Sequence, residues 1–313
     1  MRVLVTGGAG FIGSHVCDVL VAYGAEVICF DNLSSGNQKN VSHLERAENF
    51  SFVEGDICNL EQIHFAIRQC THVVHLAAFA SVPGSIAEPE LSAEINLQGT
   101  LNLITAAEKQ GIERLVFSST AAVYGNCLEM PISEDTPIHC LSPYAEHKLA
   151  AEKAILSSSI PAISLRYFNV HGPRQSPFGA YAAVIPKFIE LMKTHSQPRI
   201  FGDGSATRDF VRVLDVAELN LLALISENDE ALNQIYNVAS GNTISMTELF
   251  TSLRDILSRY DPSIASIQPI YSDERVGDIK HSSASIQKAT QLLDFNPEKS
   301  YEKAFVETIA SWF

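Results

Sequence analysis

Tyr144 and Lys148 stand four residues apart in the run Tyr-Ala-Glu-His-Lys, a spacing that places both side chains on one face of a helix. A phenol titrates near 10, so taking a proton at neutral pH requires its phenolate to be stabilised. That is about 1.4 kcal/mol per pKa unit, or about 4 kcal/mol for a shift of ~3 units. A neighbouring ammonium supplies part of it, and the pair reads as a proton-transfer device. YxxxK alone also fits a half-buried Tyr beside a solvated Lys, but the upstream segment 115–120 adds chemistry. It is an apolar run that ends in Ser118, Ser119 and Thr120. These hydroxyls fall at the C-terminal end of a strand, where open α/β sheets bind ligands. Ser119 and Thr120 are therefore expected to hydrogen-bond the substrate oxygen on which Tyr144 acts.

A second constellation opens the chain. Gly7, Gly8, Ala9, Gly10, Phe11, Ile12 and Gly13 follow an apolar run and begin a helical pattern, satisfying both GxGxxG and GxxGxxG. Glycines here let the backbone turn tightly and approach a pyrophosphate, while the helix N-terminus offers free N–H donors and partial positive charge. Asp31 follows 18 residues after Gly13, at the end of the second strand, where a carboxylate accepts from ribose hydroxyls. A 2′-phosphate would be repelled there, and Asn32, Leu33 and Ser34 include no Arg to receive one. NAD is expected rather than NADP. Asp56 and Ile57, just past the third strand, are expected to flank the adenine. An oxidised nicotinamide would add positive charge beside Tyr144, and Lys148 would hydrogen-bond its ribose.

The elements that must position these groups read as an alternation. Short apolar runs at 3–5, 26–30, 50–53, 72–76, 114–118 and 162–168 predict strands, and helical spacing at 12–23, 60–69, 91–110 and 144–156 separates them. Strands alternating with helices predict a doubly wound parallel sheet, a Rossmann α/β fold. After Phe168 a Gly- and Pro-rich stretch takes the chain out of the sheet, and a helix at 215–225 with a strand at 234–239 predicts a return. The expected division is a NAD-binding domain over 1–168, with 213–239 returning to it, and a smaller interleaved substrate domain over 169–313.

Composition sets the outer limits. In 313 residues, 22 Lys and Arg against 36 Asp and Glu leave a formal charge of −14, which argues against nucleic acid as the partner. No apolar run approaches the roughly 18 residues of a membrane span. The first residues are too short an apolar stretch for a secretory leader, so a cytoplasmic protein is expected. Six cysteines without a CxxC pair read as buried thiols, with Cys127 the one nearest the chemistry, and no metal is assigned.

Ten motifs in order resemble the extended short-chain dehydrogenase/reductases, specifically the NAD-dependent epimerase/dehydratase family acting on nucleotide sugars. They are TGGAGFIGSH (6–15), FDNLSSG (30–36), GDI (55–57), HLAA (75–78), NLQGT (96–100), FSSTAAVYG (117–125), YAEHK (144–148), LRYFNVHGPR (165–174), TRDFV (207–211) and GDIKHS (277–282). The resemblance implies that Ala77 lies against the cofactor with Phe11, Ile12 and Asn32. It places Asn169 beside a substrate diphosphate, whose charge Arg208 and Arg275 neutralise. It also implies a homodimer joined through helices at 91–110 and 144–156.

Within that family, 4,6-dehydratases place an acid and a base after the strand-end hydroxyls, and UDP-glucuronate decarboxylases carry a Glu. This chain has Ala121 and Ala122, which exchange no proton. What remains is the set seen in 4-epimerases. Tyr144 takes the proton of the sugar 4-hydroxyl while carbon 4 gives its hydride to NAD. The 4-keto sugar turns over in the pocket, and both return on the other face, with Thr120 holding the oxygen and Ser119 assisting. By the same resemblance Ser282 lines the hexose pocket, where a small residue leaves space for a 2-N-acetyl group. The stretch 179–189 and the loop of Ser81, Val82 and Pro83 are similar to those of epimerases that prefer N-acetylated sugars. The expected reaction is UDP-GlcNAc to UDP-GalNAc, with their uronic acids and UDP-glucose/UDP-galactose as further pairs. The alternatives are a strict UDP-glucose 4-epimerase and a non-catalytic NAD-binding scaffold. A reductase using NADPH clashes with Asp31.

Overall fold

The computed structural model describes residues 1–178, 183–274 and 280–313. In chain order the strands are β1 (Arg2–Thr6), β2 (Glu26–Asp31), β3 (Phe50–Glu54), β4 (His72–His75), β5 (Arg114–Thr120), β6 (Ala162–Tyr167), β7 (Asn169–His171), β8 (Arg199–Phe201), β9 (Thr207–Arg208), β10 (Phe210–Arg212), β11 (Gln234–Val238), β12 (Ile244–Ser245) and β13 (Ile270–Ser272). The helices are α1 (Phe11–Tyr23), α2 (Leu60–Ala66), α3 (Val82–Ala87), α4 (Pro89–Ala93), α5 (Gly99–Gln110), α6 (Pro143–Leu156), α7 (Val184–Lys193), α8 (Val213–Ile225), α9 (Met246–Leu257), α10 (Gln287–Leu293) and α11 (Tyr301–Ala310).

Seven strands pair in parallel in the order β11-β6-β5-β4-β1-β2-β3. A strand covered on both faces must be apolar on both, and β1 is: Val3 and Val5 join α1 and α8 in one core, while Leu4 joins α2, α5 and α6 in the other. The chain winds outward from β1 in both directions, since β1 pairs with β2 and with β4. The crevice outside the C-terminal ends of β1 and β4 is therefore the topological switch point. After β6 the chain forms the short pair β7–β10, returns through α8 and adds β11 to the sheet edge beside β6. A third core gathers α7, α9 and α11 around Phe188, Phe250, Leu253 and Phe305.

Several expected elements differ in extent. The helix expected over 91–110 is α4, a π-helical turn at Glu94–Gln98, and α5. The expected helix 60–69 stops at Ala66, and Gln69 takes a positive φ of 61°. β5 runs two residues beyond the apolar run, because Ser119 and Thr120 pair with Arg166 and Tyr167 of β6.

Candidate active site

At the end of β1 the backbone turns through Gly7, whose φ is +69°, a region L side chains rarely adopt. A Cβ on Gly7 would also lie 2.6 Å from the Ala77 nitrogen, so Gly7 and Ala77 form touching walls of the crevice. Gly10 then caps α1 without a side chain, and the first turn carries no acid. Ser14 is the first α1 residue whose N–H bonds back, to the Gly10 carbonyl. Among the described residues nothing accepts from the N–H groups of Phe11, Ile12 and Gly13, three donors at the positive end of a helix. A pyrophosphate fits this cradle.

Asp31 ends β2 and is 6% exposed. Its carboxylate accepts from the Ala9 N–H at 3.0 Å and the Leu33 N–H at 2.8 Å, which ties β2 to the glycine turn. Burial pushes its carboxyl above the usual range, and those two N–H groups, with that of Gly10, pull it back. Asn32 donates to Asp56 at 2.9 Å, and Asp56 also accepts from the Cys58 N–H at 2.7 Å. Burial raises the Asp56 carboxyl, but the Cys58 N–H and Asn32 amide outweigh it and leave it low. Ile57 is buried against Gly99. These groups suit an adenosine with free ribose hydroxyls, which NAD has.

The crevice floor holds a residue that local spacing does not reveal. His75 ends β4 fully buried, between the Thr6 hydroxyl at 2.7 Å and the Thr100 hydroxyl at 2.9 Å. Burial, and then the charge of Lys148, push its imidazole down to about 3, so it is neutral.

The helix carrying Tyr144 and Lys148 begins where its sequence says it must: Ser142 caps it by accepting from the Ala145 N–H at 3.3 Å, and Pro143 occupies the first turn. The Tyr144 N–H, which has no partner within the helix, is taken by the hydroxyl of Ser85 in α3 at 3.0 Å. Burial raises the phenol of Tyr144, and a hydrogen bond with Thr120 pulls it back. The Thr120 hydroxyl also accepts from the Ala122 N–H at 3.1 Å. Lys148 is 2% exposed, its ammonium 4.1 Å from the centroid of the Phe117 ring of β5. Burial pulls that ammonium down to about 7, against an upward pull from Glu152. Ser119 is buried, and its hydroxyl has no hydrogen-bond partner among the described residues.

Three of the expected substrate residues, Asn169, Arg208 and Ser282, gather at the segment from Thr207 to Phe210. Asn169 pairs in register with Phe210 and donates to the Asp209 carbonyl at 2.8 Å. Arg208 donates to the carbonyls of Thr207 at 2.9 Å and Lys280 at 3.3 Å, and the Ser282 N–H donates to Thr207 at 3.1 Å. The Asp209 carboxylate, fully buried, braces this segment by accepting from Ser240 N–H and hydroxyl and from Gly241 N–H. Tyr167, two residues before Asn169, pairs with Thr120, which puts both groups at the same end of the sheet. Ser81 caps α3 by accepting from the Gly84 N–H at 2.9 Å. Arg275, residues 179–182 of the expected N-acetyl stretch and the start of GDIKHS lie outside the described residues. Cys127 donates to the Glu129 carbonyl at 3.4 Å. Among the described residues no group of three His, Cys, Asp or Glu could hold a metal, and no helix is long and apolar enough to cross a membrane.

A helix-end anion cradle and a Tyr–Lys helix at one crevice define a dinucleotide-dependent α/β enzyme. The chain belongs to the NAD-dependent epimerase/dehydratase family, whose match spans residues 3–239. Its cofactor is NAD. The UDP-glucose 4-epimerase of Mycolicibacterium smegmatis is 34% identical over 315 residues, covering 99% of this chain and 97% of the relative. Among solved structures, the UDP-N-acetylglucosamine 4-epimerase of Methanobrevibacter ruminantium in complex with UDP-N-acetylmuramic acid superposes with a TM-score of 0.92 at 38% identity, covering 99% and 97% of the two chains. The UDP-glucose 4-epimerase of Thermus thermophilus in complex with NAD gives 0.86 at 36%, covering 100% and 99%.

Proposed function

We propose that the protein is a 4-epimerase of UDP-hexoses that interconverts UDP-GlcNAc and UDP-GalNAc, and with them the uronic acids and the UDP-glucose/UDP-galactose pair. One observation carries the reading: Thr120, whose hydroxyl pulls the Tyr144 phenol down, is followed by Ala121 and Ala122 rather than by an acid, and the buried Lys148 stands one turn from Tyr144. The residues then divide the work. Tyr144 accepts the proton of the sugar 4-hydroxyl and later returns it. Lys148 stabilises the phenolate, and Thr120 holds the 4-oxygen, with the Ser119 hydroxyl, which has no partner among the described residues, as a further donor. NAD, when bound, takes up the hydride of carbon 4 and gives it back. Asn169, Arg208 and Arg275 hold the diphosphate, and Ser282 leaves room at the sugar 2-position. The N-terminal sheet with α8 and β11 is the NAD domain, the remainder selects the sugar, and two copies pair through the helical stretch 91–110 and α6.

Purified protein given UDP-GlcNAc or UDP-glucose should reach a gluco/galacto equilibrium without accumulating NADH. Tyr144→Phe should lose at least about 100-fold in kcat while keeping its NAD, the scale of a positioned acid–base group. Stoichiometric NADH release would replace the epimerase with a dehydrogenase. Ser282→Tyr should suppress UDP-GlcNAc turnover more than UDP-glucose turnover. Equal loss of both would refute Ser282 as the gate, whereas wild-type protein that turns over UDP-glucose but not UDP-GlcNAc would favour the strict UDP-glucose reading; the Mycolicibacterium smegmatis and Thermus thermophilus relatives are UDP-glucose 4-epimerases.

A further inference from the structure

Glu152 lies one turn beyond Lys148 on α6, is 1% exposed, and has no part in the chemistry above. Both its oxygens are fixed. Arg166 of β6 holds one through Nη2 at 2.6 Å and the other through Nε at 3.1 Å, and the Ser164 hydroxyl donates to the latter at 2.9 Å. Arg166 is anchored in turn: its Nη1 donates to the Tyr124 hydroxyl at 2.9 Å, which donates to Asn237 of β11 at 2.7 Å. The sheet register matches the helix. Ser164 pairs with Phe117, whose ring carries the Lys148 ammonium, and Arg166 pairs with Ser119. Around Lys148, α6 contributes Tyr144 and Glu152, β4 the neutral His75, β5 the face of Phe117, and β6 the Arg166 cation behind Glu152. Glu152 is the anion of that set, and a buried ammonium without an anion tends to lose its proton.

We propose that Glu152, clamped by Arg166, is a positioning residue that keeps the Lys148 ammonium charged and seated one turn from Tyr144. The inference rests on the reading of Tyr144 and Lys148 as catalytic groups. A buried ion pair is a poor source of net stability, because desolvating both charges offsets their attraction. Its effect here is electrostatic, on a third charge.

The test is the pH profile of kcat/KM with UDP-GlcNAc and UDP-glucose. Glu152→Gln removes the anion but strands Arg166, so the double variant Glu152→Gln/Arg166→Met removes both charges together. In either, the alkaline limb should move to lower pH by about one unit, since the ammonium deprotonates earlier. Glu152→Asp should restore part of the shift, and Arg166→Lys, which keeps the pair's charges, should leave the limb near its original position. A merely structural role would lower turnover by one factor at every pH. Superimposable limbs in variants that retain NAD overturn the proposal. Tyr144→Phe runs alongside: if it keeps full activity, the catalytic reading itself fails, whereas an inactive Tyr144→Phe with an unmoved limb removes Glu152 alone.

Discussion

Ser119 is 3% exposed, and its hydroxyl has no partner among the described residues at the end of β5, where β6 pairs with it. Burying an unpaired hydroxyl costs about 1–3 kcal/mol, so the folded chain carries a local penalty beside Thr120 that a bound oxygen would relieve. Ser119→Ala should therefore raise the unfolding free energy of the unliganded protein by about 1 kcal/mol, read by urea denaturation, while turnover falls about tenfold. A variant that loses stability would show that the hydroxyl is already satisfied. The groups legible in the sequence are those whose type and local spacing encode their chemistry: the glycine turn, Asp31, Ser119, Thr120, and Tyr144 with Lys148. His75 was not legible as a site residue, because its hydroxyl partners are 69 residues before it and 25 after it. Glu152 left a faint local signal, four residues beyond Lys148, but its clamp by Arg166 is set by the α6–β6 packing alone.

Elements depart from expectation where a distant contact overrides local periodicity. The helical pattern over 91–110 carries no sign of the π-turn at Glu94–Gln98, which places Asn96 against the loop after β4. There the Asn96 side chain accepts from the Phe79 N–H at 2.8 Å and donates to its carbonyl at 3.2 Å, clamping the crevice wall. The strand pairs β7–β10, β9–β12 and β8–β13 were equally hidden, since two or three residues are too few for an alternation. The doubly wound parallel sheet, by contrast, was legible in the simple alternation of strands and helices. The start of α6 illustrates how elements aim a residue. Ser85 is fully buried, donates to the Val82 carbonyl at 2.7 Å and accepts the Tyr144 N–H, so α3 fixes the turn that presents the phenol. Ser85→Ala leaves that N–H unpaired and should lower the unfolding free energy by about 1–2 kcal/mol. Turnover should fall with KM nearly unchanged, since the loss is of Tyr144 placement rather than sugar binding. A raised KM at constant kcat would assign Ser85 to the substrate loop instead.

At the scale of the whole molecule, stability against pH is set by which buried groups change charge on folding. His75 and His171 are fully buried and pushed by desolvation down to about 3, with Lys148 and Arg212 as the next causes. Unfolded, each titrates near 6.5, so below that pH the unfolded chain binds protons that the native protein refuses. Their contribution is complete above about pH 6.5 and is lost as pH falls towards 3, by about 1.4 kcal/mol per unit for each group. Asp209 opposes them: burial raises it to about 6, so between 3.8 and 6 the native state holds a proton the unfolded state has released. That adds stability as pH falls through the same window, by about 1.4 kcal/mol per unit for the single group. Two histidines outweigh one aspartate, and the net loss is about 1.4 kcal/mol per unit between pH 6 and pH 4. Urea unfolding across this range should show that fall. His171→Leu should flatten the slope, because His171 packs edge-on between Phe210 and Phe305 and its Nε2 has no partner to lose among the described residues. The Thr308 hydroxyl it touches through Nδ1 keeps its bond to the Ala304 carbonyl at 2.8 Å, so the variant strands no polar group. An unchanged slope in His171→Leu would mean that this imidazole is already protonated in the folded protein, and that its neutral place between the two aromatic rings is wrong.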